Sequence, residues 1–184
     1  MPLGTVLDTN GNRAICQFDR SALVASRNGG VHQVLAATSI GGMCKIAVGG
    51  QLVMAILADL RTDRSLGMGE ILAELEFVGE GSRNGAGTLG DFRRGVSSYP
   101  QPGDPVEFAE PDDFREIYAP PSLPHINFGT IHPTSDVPAP ILFDRLLGRH
   151  FAIVGSSGTG KSTTVALFLA RILESAPCGH VLIL

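Results

Sequence analysis

Short apolar stretches separated by glycines fill the first 120 residues of the chain. From Glu70 to Val78 apolar and polar positions alternate loosely, as in a β-strand with one solvated face. Asn10-Gly11 lies between two such stretches, and this pair predicts a tight hairpin turn because both residues readily adopt positive φ. Gly49-Gly50 predicts a second hairpin. The pattern indicates a small antiparallel β-barrel over residues 1–120.

A different pattern follows the proline-rich segment 119–140, and we place a domain boundary near residue 120. Phe151–Val154 is a continuous apolar run, which is typical of a strand buried in a parallel sheet. Apolar residues then recur at helical spacing from Val165 to Leu173, and Val181–Leu184 predicts another buried strand. Residues 121–184 therefore indicate the beginning of an α/β domain.

The loop between the predicted strand and helix carries the clearest chemical signal. Its sequence, Gly155-Ser156-Ser157-Gly158-Thr159-Gly160-Lys161-Ser162, matches the Walker A pattern G-x-x-x-x-G-K-[ST] at every defined position. A chance match in a chain of this length is on the order of one in a hundred or rarer. Glycines let the backbone approach a phosphate closely, successive N–H groups form an anion nest, and the helix N-terminus adds partial positive charge.

These properties predict a binding site for a nucleoside triphosphate and Mg²⁺. Lys161 is the candidate catalytic residue, since its amine should reach the β- and γ-phosphates, and the Ser162 hydroxyl is the candidate Mg²⁺ ligand. Thr163 should meet the α-phosphate. The candidate residues for binding ATP are Gly155, Ser156, Ser157, Gly158, Thr159, Gly160, Lys161, Ser162 and Thr163.

Composition and charge exclude several other classes of protein. The net charge is −4, and residues 1–120 hold 15 acidic against 10 basic side chains, so bulk electrostatics do not favour nucleic acid. Three widely spaced cysteines without a C-x-x-C pair argue against a zinc site or a disulfide framework. The longest apolar run has seven residues, Leu52–Ala58, against ~20 for a membrane span. Without a secretory signal at the N-terminus, we expect a cytoplasmic protein with no membrane partner.

Other candidate sites are weaker. Asp104 to Glu116 holds six carboxylates, which we expect in a solvated loop and a short helix around Asp112 to Tyr118. Arg93-Arg94 is expected to lie in water. Ser97-Ser98 and Ser156-Ser157 lack a paired histidine and carboxylate, so the sequence gives no support for nucleophilic catalysis.

Four stretches of the chain resemble the barrel and Walker A strand of HerA-type ATPases. They are Phe92–Val96, Tyr99–Val106, Ile126–Thr130 and Leu146–Gly155. The resemblance implies a barrel followed by the beginning of a RecA-like P-loop NTPase domain. The family's Walker A roles carry over to Gly155, Gly158, Gly160, Lys161, Ser162 and Thr163.

The function that the resemblance implies is that of a DNA translocase or helicase. Such a protein forms a homo-hexamer, hydrolyses ATP between adjacent subunits and moves DNA through the central channel. The resemblance also implies a partner nuclease of the NurA type, with which the protein would act in DNA end processing for repair or in defence. Residues 1–120 would then serve oligomerisation and partner docking, and residues 121–184 would form the N-terminal part of the ATPase domain.

The family's motor domain continues beyond the position that corresponds to Leu184. Its Walker B, sensor and arginine-finger residues have no counterpart among these 184 residues, so we expect a truncated chain. We expect the purified 184-residue chain to bind nucleotide weakly and to turn over little or no ATP. Robust ATP hydrolysis in a phosphate-release assay would contradict this expectation.

Three alternatives stay open at this stage. The barrel alone could assemble rings or bind a partner, with an inert P-loop remnant and no enzymatic activity. The loop is also close to that of ABC transport ATPases, although those place it nearer the start of their domain. Rotary ATPase subunits share the order of barrel and P-loop.

Overall fold

A computed structural model describes residues 2–28, 39–63, 70–120, 122–132, 134–175 and 181–182. Among these residues it has nine strands and four helices. The strands are β1 (Gly4–Thr9), β2 (Arg13–Phe18), β3 (Met43–Val48), β4 (Gln51–Asp63), β5 (Glu70–Arg83), β6 (Leu89–Arg94), β7 (Pro105–Phe108), β8 (His125–Thr130) and β9 (Pro138–Leu142). The helices are α1 (Arg20–Asn28), α2 (Pro111–Ile117), α3 (Phe143–Leu147) and α4 (Lys161–Ser175). The chain forms two compact units, one made of the described residues up to Ile117 with His132 and Thr134, and the other of the remaining described residues.

The first unit is a closed antiparallel barrel, as the sequence predicts. Six strands form the ring in the order β2-β1-β7-β3-β4-β5, and β5 closes it by pairing with β2. The 14-residue strand β5 also carries β6 outside the ring, because its second edge pairs first with β2 over Ile71–Glu76 and then with β6 over Gly79–Arg83. The ring leaves none of its six strands without a neighbour on either side, which removes most of the free sheet edge.

The barrel core consists of the inward-facing residues of these strands. Small and medium side chains fill it, as a narrow six-stranded interior requires. The most deeply buried are Val6, Ala14, Cys16, Cys44, Ile46, Val53, Ala55, Leu57, Ala73, Leu75 and Val106. The predicted alternation in β5 is confirmed, since Ala73 and Leu75 are buried and Glu76 is exposed. Burial raises the pKa of the Cys16 and Cys44 thiols to about 12, so both stay protonated at neutral pH.

Both predicted hairpins form, but one of them turns differently. Val48 pairs with Gln51 across a two-residue turn in which Gly49 has φ 59°, as the sequence predicts. Asn10 and Gly11 do not adopt the predicted positive φ. Instead, the Asn10 side-chain oxygen accepts hydrogen bonds from the N–H groups of Asn12 at 3.3 Å and Arg13 at 3.2 Å. An asparagine side chain can direct a turn in this way without left-handed backbone.

The second unit contains the two-stranded antiparallel sheet of β8 and β9, together with α3 and α4. The helix predicted from apolar spacing is confirmed as α4, in which Ile172 is buried. The strand predicted at Phe151–Val154 does not form, and Val154 is 87% exposed. A buried parallel strand needs hydrogen-bonded neighbours, and the described strands of this unit, β8 and β9, pair with each other.

The predicted strand at Val181–Leu184 is likewise absent at residues 181–182, while residues 183–184 lie outside the described part of the chain. None of the described helices is both long and apolar enough to cross a membrane.

Candidate phosphate-binding site

The loop from Gly155 to Gly160 leads directly into α4, which begins at Lys161. Gly158 has φ 81° and Gly160 has φ 84°, in the left-handed region that side-chain-bearing residues rarely adopt. When residues in the left-handed and right-handed backbone conformations alternate, their successive N–H groups point to the same side. Such a run of N–H groups forms a concave anion-binding site called a nest. The two glycines therefore account for the loop's shape, and either one replaced by another residue would be strained.

The Ser156 carbonyl oxygen is the central acceptor of this loop. Lys161 Nζ donates to it at 2.5 Å, and Thr159 Oγ1 donates to it at 2.8 Å. The Lys161 amine therefore lies over the loop. Gly155 leaves room for this arrangement, because a Cβ at that position would come within 2.7 Å of Thr159 Oγ1.

The first turn of α4 begins with backbone N–H groups that lack acceptors within the helix. Thr164 N donates to the Gly160 carbonyl oxygen at 2.8 Å, which is a helical hydrogen bond of the first turn. The N–H groups of Lys161, Ser162 and Thr163 precede this bond and have no acceptor within the helix. The side chains of Ser162 and Thr163 are exposed. This helix end is suited to an anion, since its N–H groups and its dipole both favour negative charge.

The structure thus brings the nine predicted binding residues together in one continuous loop and helix start, in which Lys161 is partly buried and the other eight residues are exposed. The geometry fits a nucleotide phosphate, with a positive-φ glycine on each side of Thr159 and a lysine amine above the loop. The described residues contain no cluster of three or more His, Cys, Asp or Glu that could hold a metal. A Mg²⁺ ion at this loop would depend on the phosphate oxygens and the Ser162 hydroxyl, because Mg²⁺ is commonly bound together with its phosphates. The individual roles of Lys161, Ser162 and Thr163 stay predictions.

Sequence reasoning missed a buried carboxylate in the barrel. Glu80 on β5 is only 1% exposed, and its Oε1 accepts hydrogen bonds from Arg93 Nη2 at 2.7 Å and Ser97 Oγ at 2.5 Å. Its Oε2 accepts from the N–H groups of Ser97 and Ser98, each at 2.9 Å. The hydrogen bond from the Ser97 side chain contributes most to lowering the pKa of Glu80 to about 2, and burial opposes it.

This cluster adds detail to two expectations. The Arg93 side chain is largely exposed, as the sequence predicts, and its guanidinium also forms an ion pair with Glu80. Ser97 and Ser98 both contact the Glu80 carboxylate. The carboxylate binds the Ser97 hydroxyl directly and no histidine takes part in these bonds, so the arrangement fixes the chain over β5 rather than activating a nucleophile.

The expectation of a solvated loop and short helix is wrong for Asp113. The short helix forms as α2, but Asp113 is completely buried and its Oδ2 lies 3.0 Å from Lys45 Nζ, itself 2% exposed. Asp113 Oδ1 accepts the N–H of Leu89 at 2.8 Å, and Oδ2 accepts the N–H of Glu110 at 2.7 Å. The second bond provides an acceptor for the N–H of Glu110, the residue before α2, as the side chain at position N3 of a capping box does.

The closed barrel and the Walker A loop at the N-terminus of a helix define a protein with a β-barrel followed by the beginning of a P-loop NTPase domain. Residues 126–184, which include this loop, match the family described as "Helicase HerA, central domain". The match and the barrel together confirm the resemblance to HerA-type ATPases. No curated protein matches the chain.

Proposed function

We propose that residues 155–163 bind Mg²⁺ and ATP, and that the chain is the nucleotide-binding part of a HerA-like DNA translocase or helicase. The observation that carries the proposal is the position of the Lys161 amine over a loop shaped by two positive-φ glycines. The family match over residues 126–184 supports it, since the matched segment contains the whole loop.

The residues of the loop would bind and orient the phosphates. The N–H groups between Gly158 and Thr163 would donate hydrogen bonds to phosphate oxygens, and Lys161 would exchange the Ser156 carbonyl for the β- and γ-phosphates. When bound, Mg²⁺ supplies positive charge that stabilises the charge on the transferred phosphate. The Ser162 hydroxyl would hold it, and Thr163 would orient the α-phosphate.

Replacing Lys161 with alanine tests the binding role directly. We expect the dissociation constant for MgATP, measured by calorimetry, to rise at least tenfold, because charge-assisted hydrogen bonds contribute about 1.5–3 kcal/mol each. Arg171→Ala is the matched control, since it removes the same charge from the same helix at an exposed position paired with Glu174. An unchanged dissociation constant for Lys161→Ala would remove Lys161 from this role.

We further propose a homo-hexamer that moves DNA through its channel in the cytoplasm, with a NurA-type nuclease as partner in DNA end processing or defence. The barrel, residues 1–120, would join the subunits and dock the partner. Its excess of acidic side chains supports contact with protein rather than with the phosphates of DNA.

The closed barrel also supports a second candidate function, a ring-assembly or partner-binding module with an inert P-loop. Size-exclusion chromatography with and without MgATP separates the two. Assembly that responds to MgATP, and is lost in Lys161→Ala, supports the ATPase. A mass that does not respond to MgATP, in a chain that binds no ATP, supports the module. The family match favours the HerA type over ABC and rotary ATPases.

A further inference from the structure

Thr159 and Lys161 both donate hydrogen bonds to the Ser156 carbonyl oxygen. Nucleotide binding is expected to break one of these bonds and to leave the other. Under the proposed function, Lys161 leaves this oxygen for the phosphates. The Thr159 hydroxyl, at 2.8 Å, is then the short hydrogen bond that still holds the Ser156 carbonyl. The backbone nitrogen of Thr159 lies 3.5 Å from the same oxygen, a distance at the outer limit for a hydrogen bond.

We propose that Thr159 is a positioning residue for nucleotide binding: its hydroxyl keeps the loop in its phosphate-binding shape while the lysine moves to the phosphate. The proposal rests on the proposed function of this loop. The Walker A pattern leaves position 159 undefined, so a match to the pattern does not require a hydroxyl there.

The neighbours of Thr159 explain why the loop needs such a bond. Gly158 and Gly160 lie on either side, and glycine loses more conformational freedom on ordering than any other residue. A loop that must be ordered by its ligand binds more weakly than one that is ordered in advance. The Thr159 hydroxyl joins the middle of this flexible segment to Ser156 and reduces the cost of ordering.

The space beside Gly155 also supports the role proposed for the Thr159 hydroxyl. A Cβ at position 155 would come within 2.7 Å of Thr159 Oγ1, closer than real Cβ contacts allow. The first glycine of the motif therefore leaves the space in which the Thr159 hydroxyl reaches the Ser156 carbonyl. The pair of residues forms one unit, in which the glycine provides room and the threonine provides the hydrogen bond.

The test compares two substitutions of Thr159 in the full 184-residue chain. Thr159→Val keeps the size and branching of the side chain and removes the hydroxyl, whereas Thr159→Ser keeps the hydroxyl and removes the methyl group. We expect Thr159→Val to weaken MgATP binding, measured by calorimetry, about three- to tenfold, the effect of one hydrogen bond. Thr159→Ser should bind within about twofold of the unchanged chain. Both variants should unfold at the same temperature as the unchanged chain, because the loop is exposed.

Each result decides a different claim. If the unchanged chain binds MgATP and Thr159→Val binds it equally well, the role of Thr159 is wrong and the proposed function stands. If Thr159→Ser is weakened as much as Thr159→Val, the hydroxyl is not the group responsible and the proposal is likewise overturned. If the unchanged chain binds no MgATP, the proposed function fails, and the role of Thr159 fails with it.

Discussion

Replacing Asp113 with alanine should lower the free energy of unfolding by about 3–5 kcal/mol, the usual cost of breaking a buried ion pair from one side. Lys45 is 2% exposed, and its amine would lose the carboxylate 3.0 Å away. Its remaining partners are the Gly87 carbonyl at 3.3 Å and the carboxylate of Glu110 at 3.7 Å. The N–H groups of Leu89 and Glu110 would also lose their acceptor. Urea unfolding at neutral pH measures the effect.

Asp112 provides the matched control for this prediction. It is the adjacent residue on α2, is exposed, and pairs at the surface with Arg115. Asp112→Ala should cost about 1 kcal/mol or less, because surface ion pairs and helix-dipole interactions contribute only that much. Adding Lys45→Met to Asp113→Ala should recover part of the loss, because it removes a buried charge that has lost its nearest carboxylate. Equal costs for Asp113→Ala and Asp112→Ala would show that the buried pair is not important for stability.

The second large effect is expected at Glu80. Replacing it with glutamine should cost about 3 kcal/mol, because an amide offers one oxygen where four donors converge and turns its own N–H groups toward the others. Glu76→Gln is the control, since it makes the same chemical change on the same strand at an exposed position. Urea unfolding should find that control within about 0.5 kcal/mol of the unchanged chain.

The Glu80 effect should also depend on pH. Folding lowers the pKa of Glu80 from an ordinary value of 4.5 to about 2, so the folded state favours the ionised form. The resulting stability is fully present above about pH 4.5 and is lost as the pH falls toward 2. The difference in unfolding free energy between the unchanged chain and Glu80→Gln should therefore narrow in this range. A difference that stays constant down to pH 3 would contradict the role of the ionised carboxylate.

Some features of the fold could be predicted from the sequence because they depend on neighbouring residues. The turn at Gly49-Gly50 and the alternation in β5 are local patterns, and both are confirmed. Glu80 could not be predicted in this way. Opposite β4, Phe77 and Gly79 pair with consecutive residues, so Val78 is an extra residue in β5. One extra residue reverses the faces of the strand after it, and Glu80 points inward although Glu76 points outward.

Features that depend on residues distant in the sequence could not be predicted from local patterns either. Asp113 is buried because the barrel brings it to Lys45, and nothing in the local sequence around either residue indicates that pairing. Phe151–Val154 has the composition of a buried strand, but composition cannot supply the neighbouring strands that a parallel sheet requires. The hairpin at Asn10 was predicted correctly in place and incorrectly in backbone conformation, because a side-chain hydrogen bond replaced the positive φ.

The candidate site was more predictable than the barrel's polar clusters. Its nine residues are consecutive, so the motif places them together without reference to the rest of the fold. The sequence could not show that Ser156 offers its carbonyl oxygen to both Thr159 and Lys161, since that depends on the path of the backbone through Gly158 and Gly160.

The most direct test of phosphate binding at this loop is a titration of the ¹⁵N-labelled chain with MgATP, followed by NMR of the backbone amides. We predict that the largest chemical-shift changes occur at the N–H groups of Gly158, Gly160 and Lys161, which we propose as donors to the phosphates. Large changes confined to the barrel strands, with these three amides unmoved at saturating MgATP, would contradict the account.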